Sequence, residues 1–291
     1  MEAAARTPQP QSALDELGLP REIVLEPPKG WLSLRLRELW AYRELLYFLA
    51  WRDIKVRYKQ TVLGAAWAII GPFLTMVLFS VIFGKFARMP SDGIPYPIFS
   101  YSALLPWQLF SKAMVEASSS MITHQNMITK IYFPRLFLPA STILSGLVDF
   151  GISFVVLIGM MFFYDIQLTW RVVLVPVFLF LAIVTALSVG MWLSALNVRY
   201  RDFRYVTPFL VQFWLYATPI AYSASLIPDQ WQFVYNLNPM TGVVNGFRWA
   251  LVGQTMQLDP IFLVSLAMVA VLFLGGLIYF QRMEQTFADL V

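Results

Sequence analysis

The sequence predicts an all-α integral membrane protein with six transmembrane helices and an N-terminal amphipathic interface helix. Three observations predict this fold class. Hydrophobic residues make up 58% of the 291 residues, charged residues only 13%, and aromatic residues 16%. An ordinary soluble domain is about 45–50% apolar and about 25% charged. The apolar residues also fall into runs of about 20, the length that an α-helix needs to cross a bilayer.

The segment before the first span divides into two parts. Residues 1–30 are polar, contain five prolines and lack the apolar region of a signal peptide, so we expect a solvated tail. Residues 31–60 mix aromatic and basic side chains, and their apolar residues recur at helical spacing. This pattern is typical of a helix that lies in the membrane interface with its basic groups toward anionic lipid.

The predicted transmembrane domain covers residues 61–285. Prolines inside the first, second and fifth spans predict kinks. Residues 227–258, between the last two spans, are aromatic but not apolar enough to cross the membrane. The six spans are predicted at about 61–83, 98–120, 136–163, 172–196, 206–226 and 260–280.

Basic residues are distributed unevenly between the two sides of these spans. With a cytoplasmic N-terminus, sixteen lysines and arginines fall in inner segments and four in outer segments. Because cytoplasmic loops carry the excess of basic residues, we expect both termini to be cytoplasmic.

Few ionisable side chains fall inside the predicted spans. Lys112 and Glu116 are one helical turn apart and could neutralise each other, either as a structural pair or during translocation. Asp149 is interpreted as a hydrogen-bond acceptor between packed helices, with ion coupling as the alternative. His124 follows the second span and is interpreted as a solvated surface residue.

The sequence lacks the motifs of enzymes and metal proteins. With no Cys and one His, it excludes disulfides, a cysteine nucleophile and a multi-histidine zinc site. It contains no G-x-x-x-x-G-K-[ST] loop, so we expect no ATP hydrolysis by the P-loop route. The formal net charge of +4 is too small to indicate nucleic acid. We expect a transport protein that is not an enzyme, without a metal or cofactor of its own.

Two predicted cytoplasmic loops are candidates for contact with a partner. Residues 121–135 contain a predicted short helix, capped by Asn126 and ended before Pro134. A partner or the membrane would cover its apolar face. Residues 197–204 form a compact basic loop, which is alternatively a positive-inside anchor with Asp202 as the cap of the fifth span.

Four segments resemble signatures of one transporter family. They are residues 57–72 (RYKQTVLGAAWAIIGP), 130–139 (KIYFPRLFLP), 197–202 (NVRYRD) and 237–240 (LNPM), the last followed by Arg248. In this order they resemble the polysaccharide-exporting ABC-2 permeases, which export O antigen, teichoic acid and capsule precursors. The resemblance covers about residues 31–285 and does not extend to the tail.

The resemblance implies a homodimer in the bacterial inner membrane, bound to two copies of a P-loop ABC ATPase that would hold ATP and Mg²⁺. The cargo would be an undecaprenyl-diphosphate-linked polysaccharide, moving through a channel between the two permease subunits. Residues 31–59 would form the interface or gate helix, and residues 227–258 short outer-leaflet helices. The two loops would be coupling helices that contact the ATPase through Asn126, Ile128, Lys130, Arg199, Arg201 and Asp202.

The aromatic content agrees with a sugar polymer as cargo. Aromatic rings can stack on the C–H faces of sugars without selecting one sugar. Three rings of the fifth span share one helix face because they are spaced by four and three residues. The candidate channel residues are Trp67, Phe73, Trp107, Phe209, Phe213 and Tyr216, for each of which lipid contact or core packing is the alternative.

Two other functions are kept as alternatives. One is an ABC-2 exporter of a small lipid or drug, and the other is a secondary flippase driven by an ion gradient. The scarcity of ionisable groups in the spans disfavours the flippase.

Overall fold

The computed structural model describes residues 36–59, 64, 66–253, 260–284 and 287 of the chain. These residues form helices and the turns between them, without a β-strand in the described ranges. The prediction of an all-α fold is confirmed. The predicted tail, residues 1–30, and the first residues of the predicted interface helix lie outside the described residues.

Eleven α-helices are found in the described part of the chain, and we number them in order. They are Leu36–Ala41 (α1), Arg43–Lys59 (α2), Ala66–Phe79 (α3), Tyr96–Thr123 (α4), Gln125–Ile128 (α5), Phe137–Phe163 (α6), Val175–Arg199 (α7), Phe203–Ala217 (α8), Asp229–Asn236 (α9), Pro239–Val252 (α10) and Pro260–Glu284 (α11). A π-helical segment, Ser80–Phe86, extends α3, and 3₁₀ turns at Trp170–Leu174 and Ala224–Leu226 precede α7 and α9.

Within the described ranges, four helical segments are long and apolar enough to cross a membrane. They are Ala66–Phe86, Phe137–Phe163, Trp170–Arg199 and Ile261–Glu284, and they correspond to the first, third, fourth and sixth predicted spans. Helix α4 has 28 residues and is long enough, but serines and charged side chains lower its apolar content. Helix α8 has 15 residues, which at 1.5 Å per residue is shorter than a hydrocarbon core of about 30 Å.

Helix α8 ends well before the predicted end of the fifth span at residue 226. Thr218 has an extended backbone with ψ of 142°, and Pro219 follows it. A proline disfavours helical geometry in the residue before it and cannot donate the backbone hydrogen bond that would continue the helix. The chain therefore turns at this point and forms α9 and α10 instead of a longer α8.

Helix α4 lies at the centre of the bundle and packs against α3, α6, α7, α8 and α10. Its closest neighbour is α7, because a glycine at position 190 leaves room for Ala117. A Cβ atom at Gly190 would lie 2.8 Å from that of Ala117. The side-chain amide of Asn197 on α7 donates to the carbonyl of Ser118 at 2.9 Å. The carboxyl-terminal ends of α4 and α7 therefore meet at the same end of the bundle.

The loops lie at two opposite ends of the helix bundle. At the first end, which we call the basic end, are residues 124–136, residues 200–202, the carboxyl-terminal half of α2 and the end of α11. Hydrogen bonds there join Arg52 to His124, Ser118 to Asn197 and Arg135 to Glu284.

The opposite end, which we call the distal end, holds residues 87–95, 164–174 and 218–238. Hydrogen bonds there join Tyr96 to Ala221, Asp92 to Ser223 and Arg171 to Gly253. Helices α3, α4, α6, α7, α8 and α11 run between the two ends in alternating directions. The basic end therefore collects both loops that the sequence assigns to a partner.

Candidate functional site

The basic end presents exposed charged and polar side chains from two loops. Because α4 and α7 run parallel and in contact, the loops that follow them lie at the same end of the molecule. The exposed residues among those predicted to contact a partner are Asn126, Lys130, Arg199, Arg201 and Asp202.

The short helix α5 differs in detail from the prediction. The N-cap position is held by His124, not by Asn126, and no side chain caps the helix. The backbone of His124 already bonds to Ser120 at the end of α4, so α5 follows directly and Asn126 falls within its only turn. This turn points Ile128 inward, where it is 6% exposed. Ile128, predicted as an ATPase contact on an apolar face that a partner or the membrane would cover, is instead covered by this chain itself.

The exposed apolar side chains of this loop are Ile131 and Tyr132, which follow α5.

In the second loop, Asp202 occupies the N-cap position of α8, but its side chain makes no capping hydrogen bond. The prediction of Asp202 as the N-cap residue of the fifth span is confirmed in position, without a capping hydrogen bond from its side chain. Its carboxylate is exposed beside the neighbouring arginines.

A cluster of charged side chains joins α2, α4 and α6 near the basic end. Arg57 Nη2 lies 2.7 Å from a carboxylate oxygen of Glu116, and its Nη1 lies 3.0 Å from Asp149. Lys112 Nζ lies 3.6 Å from Asp149. The hydroxyl of Tyr58 donates to the same carboxylate. The cluster contains two cations and two carboxylates, so its charges balance.

The pairing of Lys112 with Glu116 that helical spacing predicts is wrong. Glu116 pairs with Arg57 and Lys112 pairs with Asp149, because a third helix brings a guanidinium between the two carboxylates. Asp149 accepts hydrogen bonds from α2, as its interpretation as a packing residue requires. Burial, with a further contribution from the bond to Asp149, raises the pKa of Tyr58 to about 12. The phenol therefore stays protonated and donates at neutral pH.

A second polar contact fixes α2 closer to the basic end. Arg52 Nη2 lies 2.5 Å from Nε2 of His124, and the other ring nitrogen lies 2.9 Å from the carbonyl of Ser120. Asp53 accepts from Ser141 on α6 at 3.2 Å. His124 is half-buried and bonded at both ring nitrogens, so its interpretation as a solvated surface residue is wrong.

Five of the six predicted channel aromatics are exposed. Phe209, Phe213 and Tyr216 are 68%, 66% and 60% exposed and form a row along α8. Trp67 and Phe73 on α3 are exposed as well. These rings lie on helix surfaces that a second molecule or lipid can reach.

The sixth predicted channel residue, Trp107, is not brought to the surface with the others. It is 3% exposed and packs against Phe110, with ring centroids 5.4 Å apart. Helix α4 is surrounded by its neighbours, so a large ring on it fills the core.

Arg248, at the distal end, is a buried cation that the sequence marked only as part of a signature. It is 1% exposed, and its guanidinium donates to the carbonyls of Phe99 and Pro219 at 3.1 and 3.0 Å. The guanidinium also lies 3.6 Å from the centroid of the Phe99 ring. It therefore connects α10 to α4 and to the turn after α8. In the described part of the chain there is no group of three or more His, Asp or Glu residues that could hold a metal.

A profile of the ABC-2 type transporter family matches residues 44–252, from α2 to the end of α10. The chain belongs to the ABC-2 type transporter family. This confirms the resemblance carried by the four sequence segments. The match includes both loops of the basic end, the charged cluster and the aromatic face of α8.

Relatives of this ABC-2 protein cover most of its length. The O-antigen export system permease protein RfbA of Myxococcus xanthus is 30% identical over 254 residues, which are 86% of this chain and 96% of the relative. The protein of the same name from Klebsiella pneumoniae is 26% identical over 250 residues, 85% of this chain and 95% of the relative. The polysialic acid transport protein KpsM of Escherichia coli is 24% identical over 249 residues, 80% and 91% of the two chains.

Proposed function

We propose that this ABC-2 protein is the permease subunit of an exporter that moves a lipid-linked polysaccharide, such as O antigen, across the inner membrane. The free energy would come from ATP hydrolysis in a separate nucleotide-binding subunit, which holds ATP and Mg²⁺. The observation that carries the proposal is the similarity to three proteins named for polysaccharide export or transport, over at least 91% of the length of each. The proposed lipid carrier is undecaprenyl diphosphate.

The proposed topology has six spans, formed by α3, α4, α6, α7, α8 and α11. Their alternation between the two ends supports it, although α4 and α8 are less apolar or shorter than a lone spanning helix. Neighbouring helices cover α4 on several sides, and four of its six serines, Ser100, Ser102, Ser118 and Ser120, are buried. The excess of basic residues supports a cytoplasmic basic end. Helices α1 and α2 would then be the interface helix, and α9 and α10 the short outer-leaflet helices.

The proposed coupling surface is formed by the two exposed loops of the basic end. A P-loop ATPase that changes shape with each nucleotide cycle would push on Lys130 and Arg201 from the cytoplasm. Close packing of α4 on α7 allows these two helices to move together. The charged cluster connects α4 and α6 to α2, so movement of the loops would reach the proposed interface helix as well.

The proposed polymer path lies along the exposed aromatic row of α8 in a homodimer. Stacking on these rings would hold sugars weakly and without selecting one sugar, which suits a polymer that must keep moving. The charged cluster disfavours an ion-coupled flippase. Its two carboxylates, which would have to bind the coupling ion, already contact Arg57, Lys112 and Tyr58.

Deletion of the gene in its host tests the proposal. We expect loss of surface polysaccharide and accumulation of lipid-linked polymer inside the cell, both reversed by the wild-type gene. Deletion of the ATPase subunit gene is the matched control and should give the same phenotype. Unchanged surface polysaccharide, with accumulation of a small lipid or drug instead, would favour the alternative ABC-2 exporter.

A further inference from the structure

A cavity of about 550 Å³, lined by both polar and apolar side chains, opens at the distal end, on the side of the molecule opposite the coupling loops. Helices α9, α10 and α11 and residues 92–94 and 223–227 line it. Its volume lies within the range of about 300–1,000 Å³ typical of small-molecule sites. The proposed coupling surface and the aromatic row of α8 do not include it.

One face of α10 supplies polar groups to this cavity. Thr241, Asn245, Arg248 and Val252 line it and recur at steps of four, three and four residues, as one helix face requires. The side-chain amide of Asn245 is half-buried, and no hydrogen bond joins it to any other described residue. Its donor and acceptor are therefore both available to a ligand.

The guanidinium of Arg248 offers a second hydrogen-bonding group to a ligand. All of its hydrogen bonds to described residues run from Nε and Nη2 to backbone carbonyls, which leaves Nη1 unused among them. A fully buried guanidinium holds its position well, because its fork is fixed by these carbonyls. It can therefore present Nη1 to an oxygen atom in the cavity at little entropic cost.

The lining also includes a carboxylate. Asp92 accepts from Ser223 at 2.5 Å and from Ser225 at 3.2 Å, and these bonds fix its orientation. Asp92 and Arg248 are the charged residues among the described lining, so the cavity has no net charge. The side chain of Phe262 adds an apolar surface.

We propose that this cavity binds a neutral sugar unit. Sugar hydroxyls both donate and accept, which matches a wall of carboxylate, guanidinium and amide groups, and a ring such as Phe262 can cover a C–H face. A diphosphate or an acidic sugar gains no net attraction here, because Asp92 offsets the positive charge of Arg248. The inference rests on the proposed function, since polymer leaving the exporter is the source of sugar at this end.

Saturation-transfer NMR on the permease–ATPase complex in nanodiscs tests the site directly. The probes are methyl glycosides of mannose, galactose, glucose, rhamnose and N-acetylglucosamine, with methyl glucuronide as the acidic comparison. We expect signal from neutral glycosides and less from the glucuronide. The change Asn245→Leu keeps the size of the side chain and should reduce the signal about fivefold, as loss of one or two hydrogen bonds predicts.

A matched pair on α9 serves as the control. Gln232 lines the cavity and Gln230, two residues away on the same helix, does not. Gln232→Ala should reduce the signal, and Gln230→Ala should leave it unchanged. Both residues are at least partly exposed, so neither change threatens folding. No signal from any glycoside, an equal signal in Asn245→Leu, or a stronger signal from the glucuronide would overturn the inference.

Export measured in the same strains separates this inference from the proposed function. Wild-type export without glycoside binding contradicts the cavity site alone. A wild-type complex that exports no polysaccharide contradicts the proposed function. Reduced surface polysaccharide in Asn245→Leu, at normal membrane abundance, supports both.

Discussion

A small network of ion pairs and hydrogen bonds holds α2 against α4 and α6. Arg57 reaches carboxylates from two other helices, and Asp149 receives hydrogen bonds or ion pairs from Arg57, Tyr58 and Lys112. Removing one member of such a network leaves a partly buried charge without its partner. The resulting loss of stability is larger than the stability that the intact network adds. Asp149 is 13% exposed and is the member that most others share.

The change Asp149→Asn tests this network. It keeps the side-chain shape but removes the charge that faces Arg57 and Lys112, so we expect a destabilisation of about 1–3 kcal/mol. The measurement is the thermal unfolding of the purified protein in detergent. The control is Asp165→Asn, at an exposed turn of the distal end. Equal melting temperatures for the two variants would show that the network is not stabilising.

At the scale of elements, α8 combines a short length with an exposed aromatic row. A ring that faces a channel loses few protein contacts on truncation, whereas a buried Phe→Ala change costs about 3–5 kcal/mol. Phe213 and Tyr216 are 66% and 60% exposed, so truncating them removes few contacts within the subunit.

Truncation of Phe213 and Tyr216 to Ala should therefore impair export more than folding. We expect normal membrane abundance, less surface polysaccharide and lower polymer-stimulated ATPase activity of the complex. Phe110→Ala, in the buried core of α4, is the contrasting variant and should lower abundance. Wild-type export by the α8 variant would mean that the polymer passes elsewhere and that this row contacts lipid.

The two loops of the basic end are the elements assigned to the ATPase. Replacement of Lys130 or Arg201 by Glu reverses an exposed charge without disturbing the core, because both side chains are exposed. Like charges would then oppose any acidic docking surface, which lowers the association rate and affinity. We expect weaker co-purification of the ATPase with normal membrane insertion.

Arg88→Glu, a charge reversal at an exposed position of the distal end, is the control for the loop variants and should leave co-purification unchanged. Full retention of the ATPase by both loop variants would refute the coupling assignment.

At the scale of the whole molecule, the division of labour between subunits makes a simple prediction. The sequence has no phosphate-binding loop, so the purified chain should show no ATPase activity by itself. Activity should require the P-loop subunit and disappear when its phosphate-binding lysine is replaced. Hydrolysis by a homogeneous preparation of this chain alone would contradict the proposed mechanism.

Membrane orientation is the second prediction at this scale. The chain contains no Cys, so single cysteines can be introduced without removing others. Asn126→Cys lies at the basic end and Asp229→Cys at the distal end, and both positions are exposed. In spheroplasts, a membrane-impermeant thiol reagent should label position 229 only, and position 126 after lysis. Labelling of position 126 in intact spheroplasts would reverse the proposed topology.

The sequence by itself determined those features that depend on neighbouring residues along the chain. Hydrophobicity over about 20 residues specifies four segments that the structure confirms as apolar helices of spanning length. A step of three or four residues identified the shared face of Phe209, Phe213 and Tyr216. Four short signature segments identified the family that the profile match confirms.

Only the tertiary structure decided which neighbour covers each face. Helical spacing pairs Lys112 with Glu116, but Arg57 lies 59 residues away from Glu116 in sequence and binds it at 2.8 Å. The same spacing cannot distinguish Trp107, buried among five surrounding helices, from Phe213, exposed on α8. The physical reason is that periodicity defines a side chain's direction relative to its own helix, whereas burial and ion pairing depend on which distant helix packs against that side.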